Sequence, residues 1–160
     1  MKMNEGVEWG MHTCVNLSWM PGEALPAKKL AAFYELPTAY LNKQLQALTR
    51  AGILSSTSGP KGGFQLARPT DRITLLDIVV AIDGPDEAFR CTEILKAGPG
   101  ADPREDYRTT CLISQAMRQA ELVYRRELAA RTIADIVADV ERQFPRSPES
   151  TRAWFANLKS

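Results

Sequence analysis

The sequence predicts a mainly α-helical protein with a small β-hairpin wing, organised as a winged helix-turn-helix followed by a long C-terminal dimerisation helix. Two short amphipathic helices separated by a tight break predict the helix-turn-helix unit. A Gly/Pro-rich turn between two β-prone runs comes directly after them and predicts the wing. A long apolar stripe nearer the C-terminus, with little else left to cover it, predicts the dimerisation helix.

Composition and the positions of Gly and Pro residues divide the chain into four parts. The 160 residues are 44% hydrophobic and 24% charged, which fits one globular domain with an extension. We assign 1–84 to the winged helix-turn-helix, 85–110 to a loop with two of the three cysteines, 111–145 to dimerisation helices and 146–160 to a tail.

The N-terminal helices follow from apolar spacing and from the residues that interrupt it. Apolar residues recur at helical spacing over 6–20, and a Pro-Gly pair ends that helix. A proline at 26 starts the first helix of the helix-turn-helix, which continues to Tyr34. After a break, Thr38 is expected to cap the second helix, 39–51, which ends at a glycine.

The wing and the next helix are predicted from turn and capping residues. Two β-prone runs, 53–57 and 64–67, flank the Gly/Pro-rich turn 58–63, a pattern typical of a hairpin. Thr74 then begins a strongly apolar helix, with Asp77 three residues later as a partial capping box.

The C-terminal half alternates irregular and helical segments. Residues 86–110 lose all periodicity and contain several Gly and Pro, so we expect an irregular loop with a function. A continuous apolar stripe predicts a long helix over 111–130, and Thr132 starts a further amphipathic helix. The tail from residue 145 is expected to be broken by Pro and Ser, with Trp154-Phe155 docking back on the fold.

The charge and the cysteine content limit the possible partners and the cellular compartment. The net charge is +1, yet residues 21–72 hold seven basic and three acidic side chains, which favours a local anionic partner. No apolar run approaches the roughly 18 residues of a membrane helix, and no signal-peptide pattern is present, so we expect a cytoplasmic protein without a membrane partner. Three cysteines in a reducing compartment are core thiols, metal ligands or redox groups.

The helix-turn-helix predicts double-stranded DNA as the partner, with a palindromic operator for a dimer. The outward face of its second helix carries the candidate base contacts Thr38, Tyr40, Asn42, Lys43 and Gln46. Asn42 and Gln46 have the chemistry to read adenine, and Lys43 that to read guanine or bind a phosphate. Lys28 and Lys61, the latter at the wing tip, are candidate phosphate contacts. The alternative is a solvated helix face.

Four side chains are candidate metal ligands. Glu8 and His12, the only histidine, stand four residues apart and share one face of a helix. Cys91 and Cys111 bracket the irregular loop. The plainer alternatives are a half-buried histidine, a solvated glutamate and two core thiols. Cys14, close to His12, is either a small buried hydrophobe or a substitute ligand.

The motifs around the wing resemble the Rrf2 family of bacterial winged-helix transcription regulators, which includes iron–sulfur sensors. The resemblance rests on the run Ser58–Pro69, on Ile73–Val79 and on Asp83-Gly84-Pro85, and it extends from about Glu8 to Val137. It implies a homodimeric DNA-binding regulator, not an enzyme, built on a long C-terminal helix. This implication agrees with the uncovered stripe after residue 111.

A finer resemblance within that family concerns the ligands. The pattern Gly6-Val7-Glu8-Trp9 with His12, and the surroundings of Cys91 and Cys111, are most similar to a redox-sensing member that holds a [2Fe–2S] cluster. The resemblance implies Glu8 and His12 as ligands from one subunit and the two cysteines as ligands from the other. It also implies that Trp9 relays the oxidation state of the cluster.

The sequence departs from the three closely spaced cysteines that many iron–sulfur members of the family carry, because its loop holds only two. Other interpretations therefore stay open. The loop cysteines could form a disulfide as a thiol switch, or the same four ligands could bind zinc. A small electron-transfer protein or an interaction scaffold that binds no DNA is a further alternative, and it leaves the helix-turn-helix and wing without a role.

Overall fold

The computed structural model describes residues 3–158, and over this range it contains eight α-helices and one two-stranded antiparallel sheet. In chain order the elements are α1 (Glu5–Ser18), α2 (Ala27–Phe33), α3 (Thr38–Arg50), β1 (Leu54–Thr57), β2 (Gly63–Leu66), α4 (Leu75–Asp83), α5 (Tyr107–Thr110), α6 (Leu112–Ala130), α7 (Ile133–Gln143) and α8 (Ser147–Asn157). The mainly helical fold with a β-hairpin wing is confirmed. Among the described helices, none is long and apolar enough to cross a membrane.

The helix-turn-helix consists of α2 and α3, and the hairpin β1–β2 follows it directly. The strands pair from Leu54 opposite Leu66 to Thr57 opposite Gly63. The expectation that Thr38 caps α3 is wrong, because Pro37 occupies the cap position and Thr38 is the first helical residue. The carbonyl of Pro37 accepts the first hydrogen bonds of the helix, but proline has no side-chain acceptor, so no side-chain cap forms there.

Helix α1 lies at the centre of the molecule and packs against α3, α4 and α7. Two glycines allow this close approach. A Cβ atom on Gly6 would lie 2.5 Å from the side-chain carbon Cδ of Gln44 on α3, and one on Gly10 would lie 2.7 Å from Ile82 on α4. Because the two glycines stand four residues apart, they form one face of α1. The backbone of α1 therefore lies directly against α3, which is the second helix, or recognition helix, of the helix-turn-helix.

Helices α4 and α7 begin side by side. Each starts with a complete capping box, Thr74 with Asp77 and Thr132 with Asp135, which confirms the two predicted helix starts. The two threonines form an isolated antiparallel bridge, and the amide of Ile133 donates to the carbonyl of Ile73 at 2.8 Å. This pairing fixes the C-terminal helices to the winged helix-turn-helix.

The tail is helical rather than broken, so that expectation is wrong over α8. Pro148 falls in the first turn, where a helix needs no backbone N–H, and therefore does not interrupt it. Phe155 is 1% exposed and stacks on Phe33 of α2 with ring centroids 5.1 Å apart. Trp154 meets the same ring edge-on at 4.9 Å. The predicted docking of Trp154-Phe155 on the fold is confirmed.

We predict that Phe155→Ala lowers the free energy of unfolding by about 3 kcal/mol or more, because it removes a buried ring that α2 and α8 share. Phe144 is 61% exposed, and Phe144→Ala is the matched control, expected to change stability by about 0.5 kcal/mol or less. Urea unfolding at one protein concentration measures both. Equal effects of the two variants would contradict the docking of α8.

Candidate DNA-binding face and metal-ligand residues

Glu8 and His12 lie side by side on the exposed face of α1, opposite its two glycines. Both line an open groove of about 500 Å³ whose walls include Met11, Leu75 and Ile136. An exposed carboxylate and an exposed imidazole on a mostly apolar wall are two of the donors that a metal site would need. The structure thus confirms that these two side chains are neighbours, as the spacing predicts.

The Cys91 thiol and the Cys111 backbone amide contact the same backbone oxygen. The amide of Cys111, the residue before α6, donates to the carbonyl of Tyr107 at 3.1 Å. The sulfur Sγ of Cys91 lies 3.9 Å from the same oxygen. Both thiols are free and partly exposed. Although 86–110 is mostly irregular, as predicted, the short helix α5 ends the loop, and its first residue, Tyr107, provides the carbonyl that both cysteine residues contact.

The two pairs do not meet within one chain. Over residues 3–158 the structure contains no group of three or more His, Cys, Asp or Glu side chains placed to hold a metal ion. A thiol pair and a Glu/His pair are each an incomplete site. Their combined chemistry, two thiolates, one imidazole and one carboxylate, suits iron or zinc. The donor set therefore fits a metal group only if two half-sites combine.

Cys14 lies in the core and is 0% exposed. Burial raises the pKa of its thiol to about 12. A protonated and enclosed thiol is a poor metal ligand, because metals bind the thiolate. Of the two interpretations of Cys14 that the sequence allows, the small buried hydrophobe fits this environment.

Trp9 lies next to Glu8 and contacts the end of α2. Its ring is half-buried, and its centroid is 5.4 Å from that of Tyr34. The Tyr34 hydroxyl accepts a 2.8 Å hydrogen bond from the side chain of Asn16, and the Thr13 hydroxyl lies 3.4 Å away. Burial raises the pKa of Tyr34 to about 12. The sequence reasoning missed this network, although two polar residues on the buried face of α1 signal it.

Helix α3 presents its candidate contact residues outward. Leu41, Leu45 and Leu48 are fully buried on one face. Thr38, Lys43 and Gln46 are exposed, and Tyr40 and Asn42 are half-exposed. The predicted candidates therefore share the accessible side of the recognition helix.

The structure brings Lys28 and Lys61 to one groove. The N-terminal part of α2 and the wing turn enclose an open volume of about 730 Å³, which Lys28, Lys29 and Lys61 line. Lys29 was not among the predicted contacts, although its place beside Lys28 at a helix start was the available signal. Three lysines along one groove form a basic strip next to the recognition helix, the charge pattern that binds a phosphate backbone.

A helix-turn-helix, an adjoining hairpin wing and this basic strip define the class of winged-helix DNA-binding proteins. The sequence matches the model of the Rrf2 family, described as an iron-dependent transcriptional regulator, over residues 3–139. The chain belongs to the Rrf2 family of transcription regulators. Helix α8 lies outside the matched range.

Individual relatives agree with this assignment. The chain is 32% identical over 98 residues to the HTH-type transcriptional regulator YwgB of Bacillus subtilis, covering 61% of this chain and 63% of that protein. CymR, the global cysteine regulator of B. subtilis, has the same fold with a TM-score of 0.61 at 22% identity, covering 86% of this chain and 97% of CymR. IscR of T. potens has it with a TM-score of 0.60 at 21% identity, covering 90% and 91%. At such identities the two structures show the fold alone.

We predict that iodoacetamide at pH 8 modifies Cys91 and Cys111 of the metal-free folded protein but not Cys14. Cys14 is enclosed and its raised pKa keeps the thiol protonated, whereas the loop cysteines are partly exposed. Intact-mass analysis should show two additions in the native protein and three after unfolding. Modification of Cys14 at the rate of the loop cysteines would contradict its enclosure.

Proposed function

We propose that this protein is a homodimeric transcription regulator whose DNA affinity depends on the redox state of a [2Fe–2S] cluster at the dimer interface. Glu8 and His12 of one subunit and Cys91 and Cys111 of the other are the proposed ligands, as in the redox sensor RsrR that the ligand motifs resemble. The observation that carries the proposal is the separation of the four donors into two exposed half-sites on one chain.

The surface beside the cysteines supports a second copy as the partner. Leu112 and Ile113 directly follow Cys111 and are 78% and 69% exposed. Helix α6 also exposes Met117, Leu122 and Val123, which are distributed around more than one side of the helix. A patch of large apolar side chains on one helix is typical of a protein interface. In a symmetric dimer the surface that includes Cys111 would then approach the partner.

The ligand types determine the chemistry that such a cluster supplies, which is a one-electron change of charge. A neutral imidazole in place of a thiolate removes negative charge and raises the reduction potential. An ionised Glu8 restores one negative charge and is a harder ligand. This combination favours cycling between two states.

Helix α1 offers a direct path from the ligands to the DNA-binding face. Its backbone at Gly6 lies against Gln44 of the recognition helix, and Trp9 packs on Tyr34 at the end of α2. A change in the position of α1 would move both helices of the helix-turn-helix. In a dimer such a movement alters the spacing of the two recognition helices, on which binding to a palindrome depends. Trp9 is the proposed relay residue.

We predict that His12→Ala and Glu8→Gln each reduce cluster content and abolish the redox dependence of DNA binding. Both variants remove one donor from an exposed half-site without altering the core. Iron and acid-labile sulfide assays with visible absorption, on anaerobically purified protein, measure the cluster. DNA binding is compared in oxidised and dithionite-reduced samples.

Glu5→Gln is the matched control, since Glu5 is also exposed on α1 and lines the same groove without being a proposed ligand. It should keep two iron and two sulfide per site. If wild-type protein contains neither iron nor sulfide after reconstitution, the cluster proposal is wrong. If His12→Ala keeps the cluster and its redox-dependent binding, the ligand assignment is wrong.

For DNA we propose that Lys28 and Lys61 bind phosphates and that Thr38, Tyr40, Asn42, Lys43 and Gln46 face the major groove. We predict that Lys61→Gln weakens binding to all sequences alike and lowers the slope of log K against log salt by about 1. Asn42→Ala should instead relax sequence preference at one position by about 1–3 kcal/mol. Fluorescence anisotropy between 50 and 200 mM salt, about the range where phosphate contacts dominate, separates the two.

Arg142→Gln, an exposed charge at the end of α7, is the control for the loss of one positive charge. It should leave the salt slope unchanged. An unchanged slope for Lys61→Gln would remove Lys61 from the phosphate contacts.

A thiol switch is the second candidate function, favoured by the shared contact of Cys91 and Cys111 with the carbonyl of Tyr107. Oxidation of these two thiols to a disulfide would remove two hydrogen atoms, which a thiol-specific reductant would restore. A reductant-reversible mass loss of two hydrogens in colourless protein that still binds DNA would favour this candidate. Bound zinc in a colourless protein would favour a structural zinc site.

A further inference from the structure

Cys91 lies in a small pocket surrounded by arginines. The pocket has a volume of about 290 Å³ and includes Arg90, Arg108 and Arg118 in its wall. Three guanidinium groups and one carboxylate, that of Glu87, line this pocket. Which of these charges remain uncompensated determines what the pocket does to a negatively charged group bound at the cysteine.

Two of the three arginines are paired with local carboxylates. Arg90 forms an ion pair with Asp86, and the two charges contribute little net field at the cysteine. The nitrogen Nε of Arg108 lies 3.2 Å from a carboxylate oxygen of Glu93, which also pairs with Lys96. Because one carboxylate is shared by two cations, this group keeps one net positive charge, but neither cation is left without a partner.

Arg118 differs from both, because its guanidinium is held by neutral groups. It donates to the carbonyl of Arg108 and, at 3.1 Å, to the hydroxyl of Ser114. Ser114 is 3% exposed and donates to the same carbonyl at 3.0 Å. Within residues 3–158, no carboxylate oxygen lies within 4 Å of Arg118. Glu87, the remaining charged residue of the wall, is exposed.

We propose that Arg118 is a potential-tuning residue, whose uncompensated positive charge beside Cys91 stabilises the reduced, more negative state of the metal group. This inference rests on the proposed function and adds a residue that is not itself a ligand. Reduction adds one electron from an external reductant such as dithionite, and no bond to Arg118 forms or breaks. A fixed positive charge in a half-buried wall favours that extra negative charge and raises the reduction potential.

The hydrogen bonds of Arg118 explain why an arginine suits this place. A guanidinium offers five N–H donors in a fixed planar arrangement and stays protonated at any physiological pH. The carbonyl of Arg108 and the hydroxyl of Ser114 use some of these donors and fix the side chain against the loop. The charge is therefore held in place, and no local carboxylate cancels it.

The test is an anaerobic redox titration of the cluster-loaded dimer, followed by visible absorption with mediator dyes. Arg118→Gln should lower the midpoint potential and shift the reduction equilibrium about tenfold toward the oxidised form, the order expected for one unit charge across a half-buried pocket. Arg118→Lys keeps the charge and should recover most of the shift. Arg152→Gln, an exposed charge on α8, is the matched control and should leave the potential close to wild type.

A second variant tests the same charge effect, with an expected shift of the midpoint potential in the opposite direction. Glu93→Gln removes the carboxylate that neutralises Arg108, so the pocket gains net positive charge and the midpoint potential should rise. A merely structural role of these residues would not move the potential in opposite directions. If Arg118→Gln does not fold, Arg118→Met, which removes the same charge and keeps a long side chain, is titrated in its place.

The possible failures are distinguishable. Wild-type protein that forms no cluster overturns the proposed function and this inference together. A cluster whose potential is the same in wild type, Arg118→Gln and Glu93→Gln leaves the proposed function standing and overturns the role of Arg118. A fall in potential for Arg118→Gln that Arg118→Lys does not reverse also overturns it, because the charge would then not be the cause.

Discussion

The structure depends on the close packing of α1 against the recognition helix. Gly6 and Gly10 remove the side chains that would otherwise hold α1 away from α3 and α4. Residues two positions further along, Glu8 and His12, lie on the opposite face because a helix turns by about 100° per residue. One helix therefore contacts α3 of the helix-turn-helix with one side and carries the two proposed metal ligands on the other. A mechanical link between the proposed metal site and the helix-turn-helix therefore needs no element besides α1.

The remaining elements hold α1 in place, and they leave apolar side chains of α6 exposed. The paired starts of α4 and α7 fix the C-terminal helices, and α8 supports α2 through Phe33 and Phe155. Helix α6 by contrast keeps much of its apolar face exposed, from Leu112 to Val123. The winged helix-turn-helix is well buried, whereas the half next to the cysteines has the surface of an interface.

The sequence predicted the features that depend on residues close together in the chain. Thr74 and Thr132 were recognised as helix starts because a capping box needs only residues three positions apart. The pairing of Glu8 with His12 followed from helical spacing in the same way. Docking of Trp154-Phe155 was predicted, but helix α8 was missed because Pro and Ser were taken to break the tail, whereas Pro148 is tolerated in the first turn. The ring that receives Phe155, that of Phe33, lies in a distant segment that no local pattern identifies. The contacts of Tyr34 and Arg118 were missed for the same reason, since each joins elements that only the fold brings together.

If the two half-sites combine across a dimer, ligand binding and assembly are thermodynamically linked. A group held by Glu8 and His12 of one subunit and by the cysteines of the other binds only the dimer, and so it stabilises the dimer by mass action. The reverse also holds, because anything that favours the dimer, including a palindromic operator, increases retention of that group. Since α1 carries the proposed ligands on one face and contacts α3 on the other, the same coupling would transmit a change of charge at a bound cluster to the DNA-binding surface. The division of the ligands between two exposed half-sites is thus what would make one chain both a sensor and a regulator.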